Sequence, residues 1–260
     1  FAFTGNKFEF RMLGSSNSIA DANIMLNAAV AESLRQYADV LEIASDFEGA
    51  LHEVIKNTVK EHKRIIFNGN GYDDTWIKEA TEKRGLLNLR TTPDAATALL
   101  EKKNIDMLSL HKVLSTVEIE SRYETTLENY CKTVNIEALT MVDMAKKEIL
   151  PAVEGYTGDL SKTLSAKLDA VSGLSCKYEK ATILKLSSLT DEIAEATSAL
   201  ESSLIKMKTI SDITEESYFI RDVILQKMAE LRVVCDEAET LTAEKYWPFP
   251  TYSDLLFGVK

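Results

Sequence analysis

Three stretches of the chain repeat apolar residues in steps of mostly three and four. Leu127, Cys131, Val134, Ala138, Met141, Ala145 and Ile149 form the first, and Leu186, Leu189, Ile193, Ala196, Leu200, Leu204 and Met207 the second. Ile220, Ile224, Met228, Leu231, Val234, Ala238 and Leu241 form the third. A seam of that period lies along one side of a helix and wants a partner seam. Three such helices joined by short connections predict an antiparallel bundle across about 105 to 243. Leu160, Leu164, Leu168 and Val171 extend the first stripe until Gly173 closes it. Pro151 interrupts that run, and its missing N–H predicts a kink or an end to the helix.

Upstream, the period changes. Apolar and polar residues alternate through "KFEFRM", which predicts a strand over residues 3 to 13. Gly14 to Ser18 form a turn that ends in good N-cap residues. "IADANIMLNAAVAESLRQYADVLEIA" then reads as a helix with a stripe at Ile24, Ala28, Ala31 and Leu34 or Arg35. Its many small side chains predict close packing against other elements. A second helix is expected from Phe47 to about His62, and a short strand at "RIIF", Arg64 to Phe67. Asn68-Gly69-Asn70-Gly71 is a loop, Asp73 or Asp74 caps a helix to about Lys83, and Pro93 stands at the start of another. The fold class is therefore mainly α, with a small α+β module over 1–104 and a long-helix bundle over 105–260. The last stretch, "YWPFPTYSDLLF", carries Pro248 and Pro250 and cannot be one helix. Its aromatics are expected to dock on the 1–100 module or on a neighbouring subunit.

Composition agrees with long helices, since glycine (10) and proline (4) are scarce among 260 residues. The net charge of −11 makes nucleic acid an unfavourable partner. No apolar run of about 18 residues occurs, and no signal-peptide pattern, so no membrane association is expected. Cys131, Cys176 and Cys235 are far apart and odd in number, which suits reduced thiols and a cytoplasmic location. The chain starts at Phe1 and runs straight into the strand, as expected of a piece that begins inside a larger fold.

Alternation puts Lys7, Glu9 and Arg11 on one face of the predicted strand and Phe8, Phe10 and Met12 on the other. One reading is a solvated outer face. The other is a cavity lining, in which a carboxylate between two cations holds a divalent cation and phosphates together.

The residues around that strand resemble the closing strand of the glutamine synthetase catalytic barrel, whose pattern is a basic residue, x, Glu, x, Arg, then a turn and an Ala-, Met- and Leu-rich helix. Here those are Lys7, Glu9, Arg11 and "GSSNSIADANIMLNAAVAESL". Leu13, Gly14 and Ser15 replace the Pro-Asp-Pro of types I and II, and the likeness is to the type III branch. "HKRIIFNGNGY", "KRGLLNLRTTPDA", "RYETTLENYCKTVNIEALTMVDMAKKEILPAV" and "YWPFPTYSDLLF" extend it to nearly the whole chain. The resemblance implies the end of a catalytic domain over 1–104 and a helical C-terminal region beyond. It implies an enzyme that makes glutamine from glutamate, ammonia and ATP through γ-glutamyl phosphate. It places Glu9 as a ligand of Mg²⁺ or Mn²⁺, Arg11 facing glutamate and the phosphoryl group, and Lys7 near the nucleotide phosphates. It also implies a homo-oligomer with sites between subunits, and the present chain inactive by itself.

Other features read as structure. "NGNGY" lacks the Lys-Ser/Thr of a phosphate-binding loop, and "HEVIK" has Lys56 where a zinc-protease helix needs its second histidine. His52, His62 and His111 have no ligand spacing. The rival to an enzyme is a non-enzymatic helical scaffold built on the three seams.

Overall fold

The computed structural model describes residues 2–3, 7–9, 18–250 and 252–258, and nearly all of them that are regular are helical. The expected mainly helical class is what is found. Two units separate by contact density, Phe1–Tyr123 and Glu124–Lys260.

In the first unit, β1 (Ala2–Phe3) and β2 (Phe8–Glu9) form one antiparallel rung pair, with Ala2 opposite Glu9 and Phe3 opposite Phe8. The rest of the predicted strand, Arg11 included, lies outside the described residues. Helix α1 (Ile19–Leu41) starts where Ser18 accepts a hydrogen bond from the Ala20 amide at 3.1 Å. Helix α2 (Phe47–His62) starts at Asp46, which accepts from the Gly49 amide at 3.1 Å. Then follow α3 (Asp74–Lys78), α4 (Thr92–Ala96) and α5 (Lys102–Leu110). Asp73 caps α3, Thr91 caps α4, and Pro93 lies in the first turn of α4, where its absent N–H costs nothing. The core is small: Ala28 of α1, Leu108 of α5 and Ile119, with Met25, Leu99 and Ile105 packed around them. A 2.8 Å contact between Glu32 and His111 fastens α1 to the residue that ends α5.

Two expectations fail in this unit. Along α1 only Ala28 is fully buried, and Ala31 and Leu34 are exposed. Helices α2 and α5 pack on α1, but no described element covers the side that carries Leu34. "RIIF" is not a strand: Lys63–Ile65 make a 3₁₀ turn. The reason is local chemistry. Arg84 donates from Nη1 to the carbonyls of Arg64 (3.2 Å) and Ile66 (2.9 Å), and Arg64 donates back to the Arg84 carbonyl (3.2 Å). Those carbonyls are the groups a sheet ladder would need.

The second unit is the bundle. Its first arm is α6 (Thr116–Met144), a π-helical turn at Ala145–Ile149, and α7 (Leu150–Ala170). The division between units falls inside α6. The second arm is α8 (Lys177–Met207), and the third is α9 (Ile213–Phe219), a π turn at Ile220–Ile224, and α10 (Leu225–Leu241). The short α11 (Tyr252–Phe257) follows. All three predicted seams are buried or half-buried up to Ala238, with Leu186, Leu189, Ile193, Leu200, Ile220 and Ile224 fully enclosed. Helix α8 packs on both α7 and α10, so it lies between the other arms. The stripe on α7 fades, because Leu164 is half-buried and Leu168 and Val171 are exposed. Gly173, at φ +83°, does turn the chain.

Pro151 does not end the first arm. The π turn before it hands the Leu150 amide to the Ala145 carbonyl, and Pro151 falls in the first turn of α7. A wide turn there absorbs both the missing N–H and the ring's clash with the preceding carbonyl.

The aromatic tail docks elsewhere than expected. Trp247 and Phe249 pack against the bundle core of their own unit, ring centroids 6.0 Å apart, and Tyr246 lies against Tyr156 of α7. Apolar area is covered by the nearest groove available, here the bundle itself.

Candidate functional site

The candidate chemistry sits at the strand. Glu9 is a rung residue of β2, its backbone paired with Ala2, and Lys7 precedes the rung by one residue and is exposed. Lys7 lies just before β2, which comprises Phe8 and Glu9. Arg11 lies outside the described residues. Elsewhere among the described residues no group of three or more His, Cys, Asp or Glu could hold a metal ion. Glu9 is a hard oxygen donor, and one carboxylate is a usual protein share for Mg²⁺, which keeps water and phosphate oxygens as its other ligands. The residue type therefore fits a divalent cation as one ligand.

The other features the sequence singled out have structural partners. In "NGNGY", Asn70 accepts from the Tyr72 amide at 3.1 Å, closing a tight turn ahead of α3. The loop is braced from behind by Phe67 stacked on Trp76 at 3.7 Å, with the Arg84 guanidinium 4.8 Å from the Trp76 ring. A side chain at Gly69 would meet the Phe67 ring at 2.6 Å, so the ring would have to shift to admit one. Sequence reasoning missed this stack, because its partners are 9 and 17 residues from Phe67 and follow no period. His52 and His62 are exposed on α2. Burial pushes the Cys131 and Cys235 thiols up to about 11, and both pack in the bundle core.

Two clefts open elsewhere among the described residues. One, of about 450 Å³, lies beside the start of α6, but its carboxylate, Glu118, is tied to the Ser115 amide and hydroxyl at 2.8 Å as a capping box. The other, of about 210 Å³, lies among α6, α8 and α9. Its Glu128 pairs with Lys132 at 2.7 Å, and burial raises the Glu216 carboxyl. The Cys131 thiol also lines the second cleft, near Glu216, but burial raises it to about 11 and keeps it protonated.

Comparison with known proteins adds the family to this geometry. Residues 50–167 match the family model of the glutamine synthetase C-terminal domain. The matched stretch runs from within α2 to within α7. Its whole length is related to glutamine synthetases: it is 36% identical over 268 residues to the glutamine synthetase of Butyrivibrio fibrisolvens. It is 35% identical over 264 residues to the type-3 glutamine synthetase of Dictyostelium discoideum, and 28% over 265 to the glutamine synthetase of Bacteroides fragilis (strain YCH46). These alignments cover 99–100% of the chain but only 36–37% of each relative, so the chain spans little more than a third of their length. Among the described residues no helix is long and apolar enough to cross a membrane.

Proposed function

We propose that the intact polypeptide is a glutamate–ammonia ligase of the type III kind, which makes glutamine from glutamate, ammonia and ATP. The observation that carries this reading is similarity along 99–100% of the chain to proteins named glutamine synthetase. In this reading 1–104 is the end of the catalytic domain and 105–260 a helical region that adds no catalytic group. Glu9 would hold Mg²⁺ or Mn²⁺, which draws charge off the transferring phosphate. Arg11 would face glutamate and the phosphoryl group, and Lys7 the nucleotide phosphates. Lysine keeps the charge there but not the two-pronged fork of arginine, so it acts as a point charge. The enzyme would be a cytoplasmic homo-oligomer without nucleic-acid or membrane partners, and the 260-residue chain inactive alone.

The test is ATP-dependent glutamine formation by the intact polypeptide, with and without a chelator. Glutamine that appears only with divalent metal supports the reading. Its absence with either Mg²⁺ or Mn²⁺ would overturn it and favour the helical scaffold.

A further inference from the structure

Helix α2 carries Phe47, Leu51, Ile55 and Val59 at successive i, i+4 positions, which is one line along a helix. They are 56%, 37%, 56% and 54% exposed, and α2 has no buried residue at all. Ala50, Val54 and Thr58, half-buried, lie on a second line, so α2 is only partly covered. The apolar line runs for roughly 18 Å, at about 1.5 Å per residue. Isolated apolar side chains on a surface are ordinary, whereas a continuous row marks a place where something docks. The bundle offers the contrast, since its three seams are covered.

We infer that this row is a docking face for the remainder of the intact polypeptide, an apolar layer supplied in the same chain. The inference rests on the proposed function in one respect: the relatives that suggest the enzyme also carry well over half their length beyond the part matched here. A second copy is the less favourable occupant. Four half-exposed side chains present on the order of 400 Å², about half of what each partner in a stable pair buries. An attached segment faces no such threshold, because tethering removes most of the translational cost of association.

The experiment compares hydrogen exchange of the α2 amides in the 260-residue chain and in the intact polypeptide, each with and without Ile55→Lys. In the intact polypeptide, exchange across α2 should be slower by ~10-fold or more, as for a segment whose apolar face is covered. Ile55→Lys should abolish that protection and leave exchange in the 260-residue chain unchanged. Asn57→Ala, an exposed polar position on the same helix, should alter neither. Equal exchange in the two unsubstituted proteins overturns the inference, and because it needs no variant it stands even if Ile55→Lys fails to accumulate. Concentration-dependent association of the 260-residue chain that Ile55→Lys abolishes also overturns it, in favour of a second copy. Protection without glutamine formation supports the docking and counts against the enzyme reading alone.

Discussion

Tyr246 lies with its ring 5.3 Å from that of Tyr156, and its hydroxyl donates to Asp159 one turn further along α7. This contact fixes where the chain goes after the third arm of the bundle. It turns back over α7, and Trp247 and Phe249 follow Tyr246 onto the core. Gly155 lies under the Tyr246 ring, where a Cβ would sit 3.5 Å from it, in ordinary contact. The tail is thus a strap across the first and third arms.

Trp247→Ala should loosen that strap. The indole is half-buried and meets Phe249 edge-on at 6.0 Å, so its loss should cost about 2 kcal/mol, below the range for a fully enclosed aromatic. Urea unfolding of the 260-residue chain, followed by helicity, measures this. A midpoint equal to that of the parent would show that the tail contributes nothing.

Leu200→Ala and Ile205→Ala test the seams on one helix. Leu200 is fully enclosed between the arms and Ile205 is 68% exposed five residues on. The first should cost about 3 kcal/mol through lost transfer energy and a residual cavity, the second under about 0.5 kcal/mol. Similar losses for both would mean that the outer face of α8 is covered and the seam assignment is wrong.

How much of this was legible depends on range. The seams were, because a helical period writes burial into the sequence every three or four residues, and Leu186 through Met207 follow it without a break. "RIIF" was misread because the groups that deny it a ladder belong to Arg84, about twenty residues away. The arm does not end at Pro151 because a π turn takes up the proline, and that depends on how a whole arm packs, not on the local triplet. The small residues of α1 suggested close packing, yet alanine density says only that a neighbour can approach, not that one does. At the candidate site a strand was legible, and Glu9 falls on one of its rungs.

Acid should weaken the tie between α1 and the end of α5. Glu32 accepts from Arg35 at 2.8 Å and from Gln36 at 2.6 Å, and meets His111 at 2.8 Å. These bonds, that to Arg35 first, hold its carboxyl well below the usual carboxylate range. A depressed native pKa means the unfolded state binds the proton more readily. The stabilisation is then complete above the unfolded value of about 4.3 and is lost as pH falls below it towards the native value. Protection of the α1 amides, taken relative to the intrinsic exchange rate at each pH, should therefore fall on acidification below about pH 4.5, and Glu32→Gln should flatten that dependence. An unchanged acid slope in Glu32→Gln would remove Glu32 as its source.

The chemistry proposed for the strand makes the sharpest demand. Glu9 stands on a rung, and in the strand expected from the sequence Arg11 has the same parity, so a metal held by one and a phosphoryl group met by the other would be neighbours. Glu9→Gln keeps the shape and one oxygen but removes the charge a divalent cation needs. Arg11→Ala removes the charge that would meet the phosphoryl oxygens as negative charge spreads over them in the transition state. In the intact polypeptide each should lower turnover by ~10²-fold or more, the usual scale for losing an electrostatic clamp or weakening metal binding. The two should differ in their response to metal. Raising Mg²⁺ or Mn²⁺ should recover part of the activity of Glu9→Gln, whose defect is affinity, and none of that of Arg11→Ala, whose defect is in the chemical step. Lys7→Ala should chiefly raise the KM for ATP, as expected of a point charge on the nucleotide phosphates. Turnover within twofold of the parent in the Glu9 or the Arg11 variant would remove that residue from the site. Metal rescue of both alike would mean that Arg11 acts through the cation rather than on the phosphoryl group.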